Sequence, residues 1–138
     1  MGASGWHYPP AWSPDGSLIA WADNTHALHV APAAGGAAKL VDSCEQNAIA
    51  DYAWSPDGRW LAYSKAARTD YSSIYLYDTR AARVHRLTGP YTNDVAPAWD
   101  PEGRYLYFLS DRSTNPVLDG RDLNVIEVKS TIPLMVLL

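Results

Sequence analysis

Ala53-Trp54-Ser55-Pro56-Asp57-Gly58-Arg59-Trp60-Leu61-Ala62-Tyr63-Ser64 lies near the middle of the chain, and its reading decides the fold. The first half is turn chemistry. Pro sets φ for the first central position, Asp tolerates the second, and Gly takes the left-handed conformation a hairpin bulge requires. The second half is a short strand, apolar on both alternating faces, as in strands sandwiched between neighbouring sheets. The same text stands earlier as Ala11-Trp12-Ser13-Pro14-Asp15-Gly16, followed by Leu18-Ile19-Ala20-Trp21-Ala22. It stands later, softened, as Ala98-Trp99-Asp100-Pro101-Glu102-Gly103, followed by Tyr105-Leu106-Tyr107-Phe108-Leu109.

The three tryptophans are 42 and 45 residues apart. A period of about 40–50 residues belongs to propeller blades, kelch-type units or helical HEAT and armadillo repeats. Long periodic stretches free of Pro and Gly are missing, which removes the helical options. Two further strands complete each unit. In the second unit they are Ser73 to Tyr77 and Arg83 to Leu87, around a turn at Asp78-Thr79-Arg80; in the first, Leu28 to Ala31 and Ala38 to Val41, around Ala34-Gly35-Gly36. The reading is all-β: three propeller blades of four-stranded antiparallel sheets over about 10–44, 50–90 and 95–138, the last one incomplete. Trp12, Trp54 and Trp99 then recur as rings that fill the wedge between sheets, and Asp15 and Asp57 recur because the turn wants them.

The turn followed by Leu-Ala-Tyr-Ser resembles the WD40-like repeat called PD40, found in TolB and in the propellers of tricorn-type proteases. Ala98 to Pro116 is similar above all to the tricorn branch. The resemblance covers most of Pro10 to Pro116 and implies a protein-binding or gating module, with any catalysis housed in other domains.

Three blades are too few for a ring, since propellers carry about four to eight. In the third unit the insertion Ser113 to Thr131, with a short strand at Asn124 to Lys129, precedes a third strand at Ile132 to Leu138, and no fourth follows. Such a blade leaves an apolar, unpaired edge. Either the chain is a fragment, or copies assemble. Two copies would make a six-bladed ring, a homodimer in which Trp6-His7-Tyr8 supplies the missing outer strand to a neighbouring blade.

Composition narrows the function classes. Of 138 residues 47% are apolar and 19% charged, with six Trp and nine Tyr against one Phe, a globular and β-leaning mixture. The net charge of −4 and the absence of a basic stripe argue against nucleic acid. The basic run Arg80 to Arg86 reads as a solvated edge. A single cysteine, Cys44, cannot form an internal disulfide, and the N-terminus lacks the pattern of a secretory signal, so the expected setting is cytoplasmic. The apolar run Ile132 to Leu138 is far shorter than the about 20 residues a membrane helix takes.

Catalytic and metal chemistry finds little footing. His7, His26, His29 and His85 lack metal-ligand spacing, and His26 and His29, three apart on a strand, would point to opposite faces. Asp111, Asp119 and Asp122 flank or occupy the third-unit insertion without calcium-loop spacing. Gly2-Ala3-Ser4-Gly5 lacks the spacing of a nucleophile elbow. No catalytic residue, metal or cofactor is expected. A binding site would fall where inter-blade loops converge: Gln46, Asn47, Asp51 and Tyr52 at one junction, and Tyr91, Asn93 and Asp94 at the next, with Asn115 to Arg121 beside them. The leading reading is a non-catalytic scaffold for protein or peptide partners that assembles with its own kind. A small hydrolase or lyase using the mouth of the ring, and a substrate-gating fragment of a tricorn-like protease, stay open as alternatives.

Overall fold

The computed structural model describes residues 8–68, 71–112 and 131–138, together with the backbone of two short strands, 116–118 and 125–127. All regular structure among them is β. The first sheet joins β1 (Ala11–Trp12), β2 (Leu18–Ala22), β3 (Ala27–Pro32) and β4 (Lys39–Ser43) in chain order. The second repeats the meander with β5 (Tyr52–Trp54), β6 (Trp60–Ala66), β7 (Ser72–Asp78) and β8 (Arg83–Arg86). The third holds β9 (Asp94–Trp99), β10 (Tyr105–Ser110) and β13 (Ile132–Leu137) in the order β13-β10-β9. Between β10 and β13 a separate ribbon pairs β11 (Pro116–Leu118) with β12 (Val125–Glu127). These are three successive antiparallel blades, the last with three strands.

The repeated turn explains the repeated hairpin. Ser13 Oγ donates to Asp15 Oδ1 at 2.6 Å and accepts the Leu18 N–H at 2.9 Å. Ser55 does the same with Asp57 at 2.6 Å and the Trp60 N–H at 2.8 Å. In the third copy Asp100 takes the serine's place and accepts the Tyr105 N–H directly at 2.6 Å. Gly16, Gly58 and Gly103 sit at φ of 70°, 69° and 70°, the left-handed region that closes each turn. The softened third motif therefore builds the same turn from different side chains.

Hydrophobic burial lies between the blades. Ala20, Ala22, Leu28 and Val30 of the first sheet pack against Trp54, Leu61, Tyr63 and Tyr77 of the second. The opposite face of the second sheet, with Ala62, Ile74 and Leu76, packs against Leu106 and Phe108 of the third. Among the described residues, the middle blade alone is covered on both sides. On β10 burial alternates strictly: Leu106, Phe108 and Ser110 are buried against the second blade's side, whereas Tyr107 and Leu109, pointing the other way, are exposed. Met135 and Leu137 are exposed on the neighbouring strand. Across the other flank Trp12 is 59% exposed, while its counterpart Trp54 is 9% exposed. The wedge-filling role thus holds at Trp54 and is unfulfilled at Trp12.

The basic run lies as expected on an exposed edge strand, β8. His26 lies in the β2–β3 turn at φ of 64° and not on a strand; His29 is on β3, stacked on Trp21 with Nε2 2.9 Å from Asp23. Tyr8 donates its N–H to Ala22 of its own blade at 2.9 Å, extending the inner hairpin; Trp6 and His7 lie outside the described residues.

Candidate functional site

A four-stranded meander sends its connections alternately to two opposite faces. One face carries the three glycine-closed turns, at Gly16, Gly58 and Gly103. The other carries the β2–β3 and β6–β7 turns, the inter-blade connections 44–51 and 87–93, and the chain leaving β10 at Asp111 and Arg112. All seven residues singled out as binding candidates fall on that second face or at its rim.

A cleft of about 380 Å³ opens there at the first junction. Glu45 and Gln46 line it from the connection after β4, Lys65 and Arg68 from the end of β6, and Tyr75 from β7. Lys65 is held in place: its ammonium donates to Asp42 at 2.7 Å and lies 4.8 Å from the centre of the Tyr75 ring. The buried thiol of Cys44 donates to the Ala66 carbonyl at 3.5 Å. Gln46 is the one sequence-derived candidate in the cleft.

The other candidates have different environments. Asn47 and Asp51 are exposed, and Asp51 accepts from Ser64 Oγ and from the Ala96 N–H, each at 3.4 Å. The Tyr52 hydroxyl donates to the Pro9 carbonyl, and burial holds its pKa above the usual phenol value. Tyr91 is 83% exposed. Asn93 is clamped: its backbone and side-chain N–H groups donate to Asp111 at 2.6 and 2.8 Å, and its Oδ1 accepts the Ser72 N–H at 3.1 Å. Asp94 is fully buried beneath Arg112, whose Nη2 reaches its two oxygens at 3.2 and 3.0 Å. No hydrogen bond or ion pair among the described residues joins Gln46 or Asn47 to Tyr91, Asn93 or Asp94. Asp119, Asp122 and most of Asn115 to Arg121 lie outside the described residues.

Lys65, Arg68, Glu45 and Tyr75 are the cleft residues that sequence reasoning passed over. Tyr75 reads as core from its strand alone, and Lys65 lies one residue past the strand read as Trp60 to Ser64. Among the described residues no three His, Cys, Asp or Glu side chains gather as metal ligands, and none of the histidines is hydrogen-bonded to a hydroxyl or thiol. No helix among them is long and apolar enough to cross a membrane. The cleft presents two cations, a carboxylate, an amide and an aromatic ring around a shallow opening.

Comparison with known proteins agrees with this architecture. The family described as "Tricorn protease second beta propeller domain" matches residues 2–138. A tricorn protease homolog of Saccharolobus solfataricus is 34% identical over 126 residues, 91% of this chain but 12% of that protein. In fold, the chain superposes on the crystal structure of the tricorn protease with a TM-score of 0.90 at 23% identity, over 99% of this chain and 14% of the other. A TolB structure from Agrobacterium tumefaciens follows at 31% identity and a TM-score of 0.62, over 77% of this chain and 38% of that one. The chain spans about an eighth of the tricorn homolog's length. Three Trp-marked blades with their turns, and a family match over nearly every residue, place the chain in the family of the tricorn protease second β-propeller domain.

Proposed function

We propose that this chain is a non-catalytic half-propeller that closes into a six-bladed ring with a second copy of itself and offers its connection-bearing face to a protein or peptide partner. One observation carries the reading. The middle blade is buried on both faces, while each terminal blade leaves large apolar side chains in water, with Trp12 and Leu40 on one flank and Tyr107, Leu109, Met135 and Leu137 on the other. Apolar faces of this size mark association surfaces. A cytoplasmic, reducing setting suits the single buried thiol. The cleft at Glu45, Gln46, Lys65, Arg68 and Tyr75 suits an extended peptide carrying an acidic group.

Size-exclusion chromatography with light scattering tests the ring. The expected mass is twice the 15.2 kDa of one chain. A monodisperse, folded monomer at high concentration overturns it. Fluorescence anisotropy with acidic peptides, alongside a peptidase assay on the same samples, tests the binding role; turnover of any peptide would overturn the non-catalytic assignment. A second reading, a substrate-gating part of a longer tricorn-like protease, is favoured by the small share of the tricorn homolog that the chain spans.

A further inference from the structure

The outer strand of the middle blade carries a charge pattern that neither the core nor the cleft uses. Arg80-Ala81-Ala82-Arg83-Val84-His85-Arg86 holds three arginines and no Asp or Glu, in a chain whose formal charge is −4. All four residues of β8 are exposed. Among the described residues none of the three arginines is in an ion pair. Asp78 stands directly across from Arg83, but Arg59 holds it at 2.8 Å. The cations of this strand are uncompensated.

The backbone of β8 is open along the same side. Leu87 donates its N–H to the Ile74 carbonyl at 2.8 Å, and the ladder continues with His85 opposite Leu76 and Arg83 opposite Asp78. Arg83, His85 and Leu87 thus turn their backbone groups toward β7, and antiparallel alternation turns those of Val84 and Arg86 outward. No described strand pairs there, since β8 ends the order β5-β6-β7-β8. A missing neighbour does not create this edge. Val84 and Arg86 lie opposite Tyr77 and Tyr75, on the face that packs toward the four-stranded first blade, and are exposed beside it.

Charges on an edge strand discourage indiscriminate pairing. Cations alone, however, repel only basic strands and favour an acidic one. We propose that β8 is a docking edge for an extended acidic segment of another protein, which adds to the middle blade as a fifth strand. Its carboxylates lie opposite Arg83 and Arg86, and an apolar residue lies opposite Val84. Positions 83 and 86 are three apart and so point to opposite faces of the sheet, which requires acids three apart in the partner. A nucleic acid would match the charge but not the outward N–H and C=O groups of Val84 and Arg86. The edge lies apart from the cleft, and the inference stands whether or not copies of the chain assemble.

Fluorescence anisotropy on the full chain tests it, with the labelled peptide Gly-Ser-Glu-Thr-Val-Glu-Ser-Gly as the probe. Exchanging both glutamates for glutamine should weaken binding about tenfold or more, as should Arg83→Gln combined with Arg86→Gln in the protein. An N-methyl group on the peptide's valine removes only a backbone donor and should also weaken binding about tenfold. Bound peptide should slow hydrogen exchange at the Val84 and Arg86 amides about tenfold, and change those of Arg83 and His85 little. Arg68→Gln, in the cleft, should leave the affinity unchanged. Binding that Arg68→Gln abolishes and the arginine pair variant keeps would move the peptide to the cleft, overturning the docking edge and leaving the cleft reading in place. Binding indifferent to N-methylation, or matched by single-stranded oligothymidine, would show a plain polyanion surface and overturn it as well. So would the absence of binding at millimolar peptide.

Discussion

Asp42 and Tyr63 meet across the first blade junction, with the Tyr63 hydroxyl donating to Asp42 Oδ2 at 2.7 Å. Lys65 donates to the same oxygen at 2.7 Å. Tyr63 is wholly buried and its ring stacks on Tyr75 at 5.6 Å. Burial, reinforced by the hydrogen bond to Asp42, holds the Tyr63 hydroxyl protonated far above the ordinary phenol range, so it acts only as a donor to this carboxylate. The carboxylate thus pins the outer strand of one sheet to the second strand of the next.

Removing the two partners should have unequal effects. Tyr63→Phe leaves Asp42 paired with Lys65 and should cost about 1 kcal/mol. Asp42→Ala strands a buried hydroxyl and a half-buried ammonium together, and should cost about 2–3 kcal/mol. Urea unfolding at a fixed protein concentration gives both values. Equal losses would show that the carboxylate does not organise the junction.

A second contrast lies in the third blade. Arg112 covers Asp94, which has no exposed surface, whereas Arg104 pairs with Glu102 where both side chains are mostly in water. Arg112→Ala leaves a buried carboxylate without its cation and should cost about 3 kcal/mol. Arg104→Ala should cost less than about 1 kcal/mol. Thermal melts of the two variants at low and moderate salt decide it, since only the exposed pair should respond to screening.

Acid should undo the turns. Hydrogen bonds from Ser13 and Ser17 hold Asp15 at about 2. Burial pushes Asp23 upward, yet hydrogen bonds from Thr25 and His29 bring it to about 2. The Arg59 guanidinium holds Asp78 at about 2, and Ser55 lowers Asp57. Folded values lie below the unfolded value near 3.9, so on acidification the unfolded chain takes up protons first. The stabilisation from these groups is complete above about pH 4 and is lost as pH falls through about 2. Circular dichroism melts from pH 5 to pH 2 should fall steeply, and less steeply for Asp15→Asn with Asp57→Asn. A pH-independent melting temperature over that window would contradict the turn assignment.

Much of this was legible in the sequence because the turn motif is local. Ser-Pro-Asp-Gly fixes its own hydrogen bonds within six residues, so strands on either side could be placed to within a residue or two. Asn93 and Asp94 were legible as polar loop residues but not as clamps, since their partners Asp111 and Arg112 come from the end of β10 and meet them only through strand pairing. The same holds for Trp54 and Trp99. Their rings read as wedge fillers, but the carbonyl each one finds lies 43 and 46 residues back, a distance that local patterning does not reach. The ribbon of β11 and β12 was half visible: its second strand has an apolar pair, Val125-Ile126, while its first begins at a proline that reads as a break.

The free flank of the third blade offers the sharpest separation of folding from assembly. Leu106 and Phe108 point into the junction with the second blade, and the alternate residues Tyr107 and Leu109 point away from it. Tyr107 pairs with Met135, and Leu109 with Pro133, so the outward face is continuous across both strands. Met135 is 62% exposed. Lysines at Leu109 and Met135 therefore touch no residue of the internal core, but would place two cations within an apolar contact, where desolvation without partners is costly. The double variant should keep its β-sheet spectrum and a cooperative melt while its mass in light scattering falls to that of one chain. Its melting temperature should also stop rising with protein concentration, because mass action no longer favours the folded pair. Val84→Lys on the exposed outer strand β8 is the control, and should leave the mass unchanged. A double variant that still runs at twice the chain mass would mean that this flank is not where two copies meet.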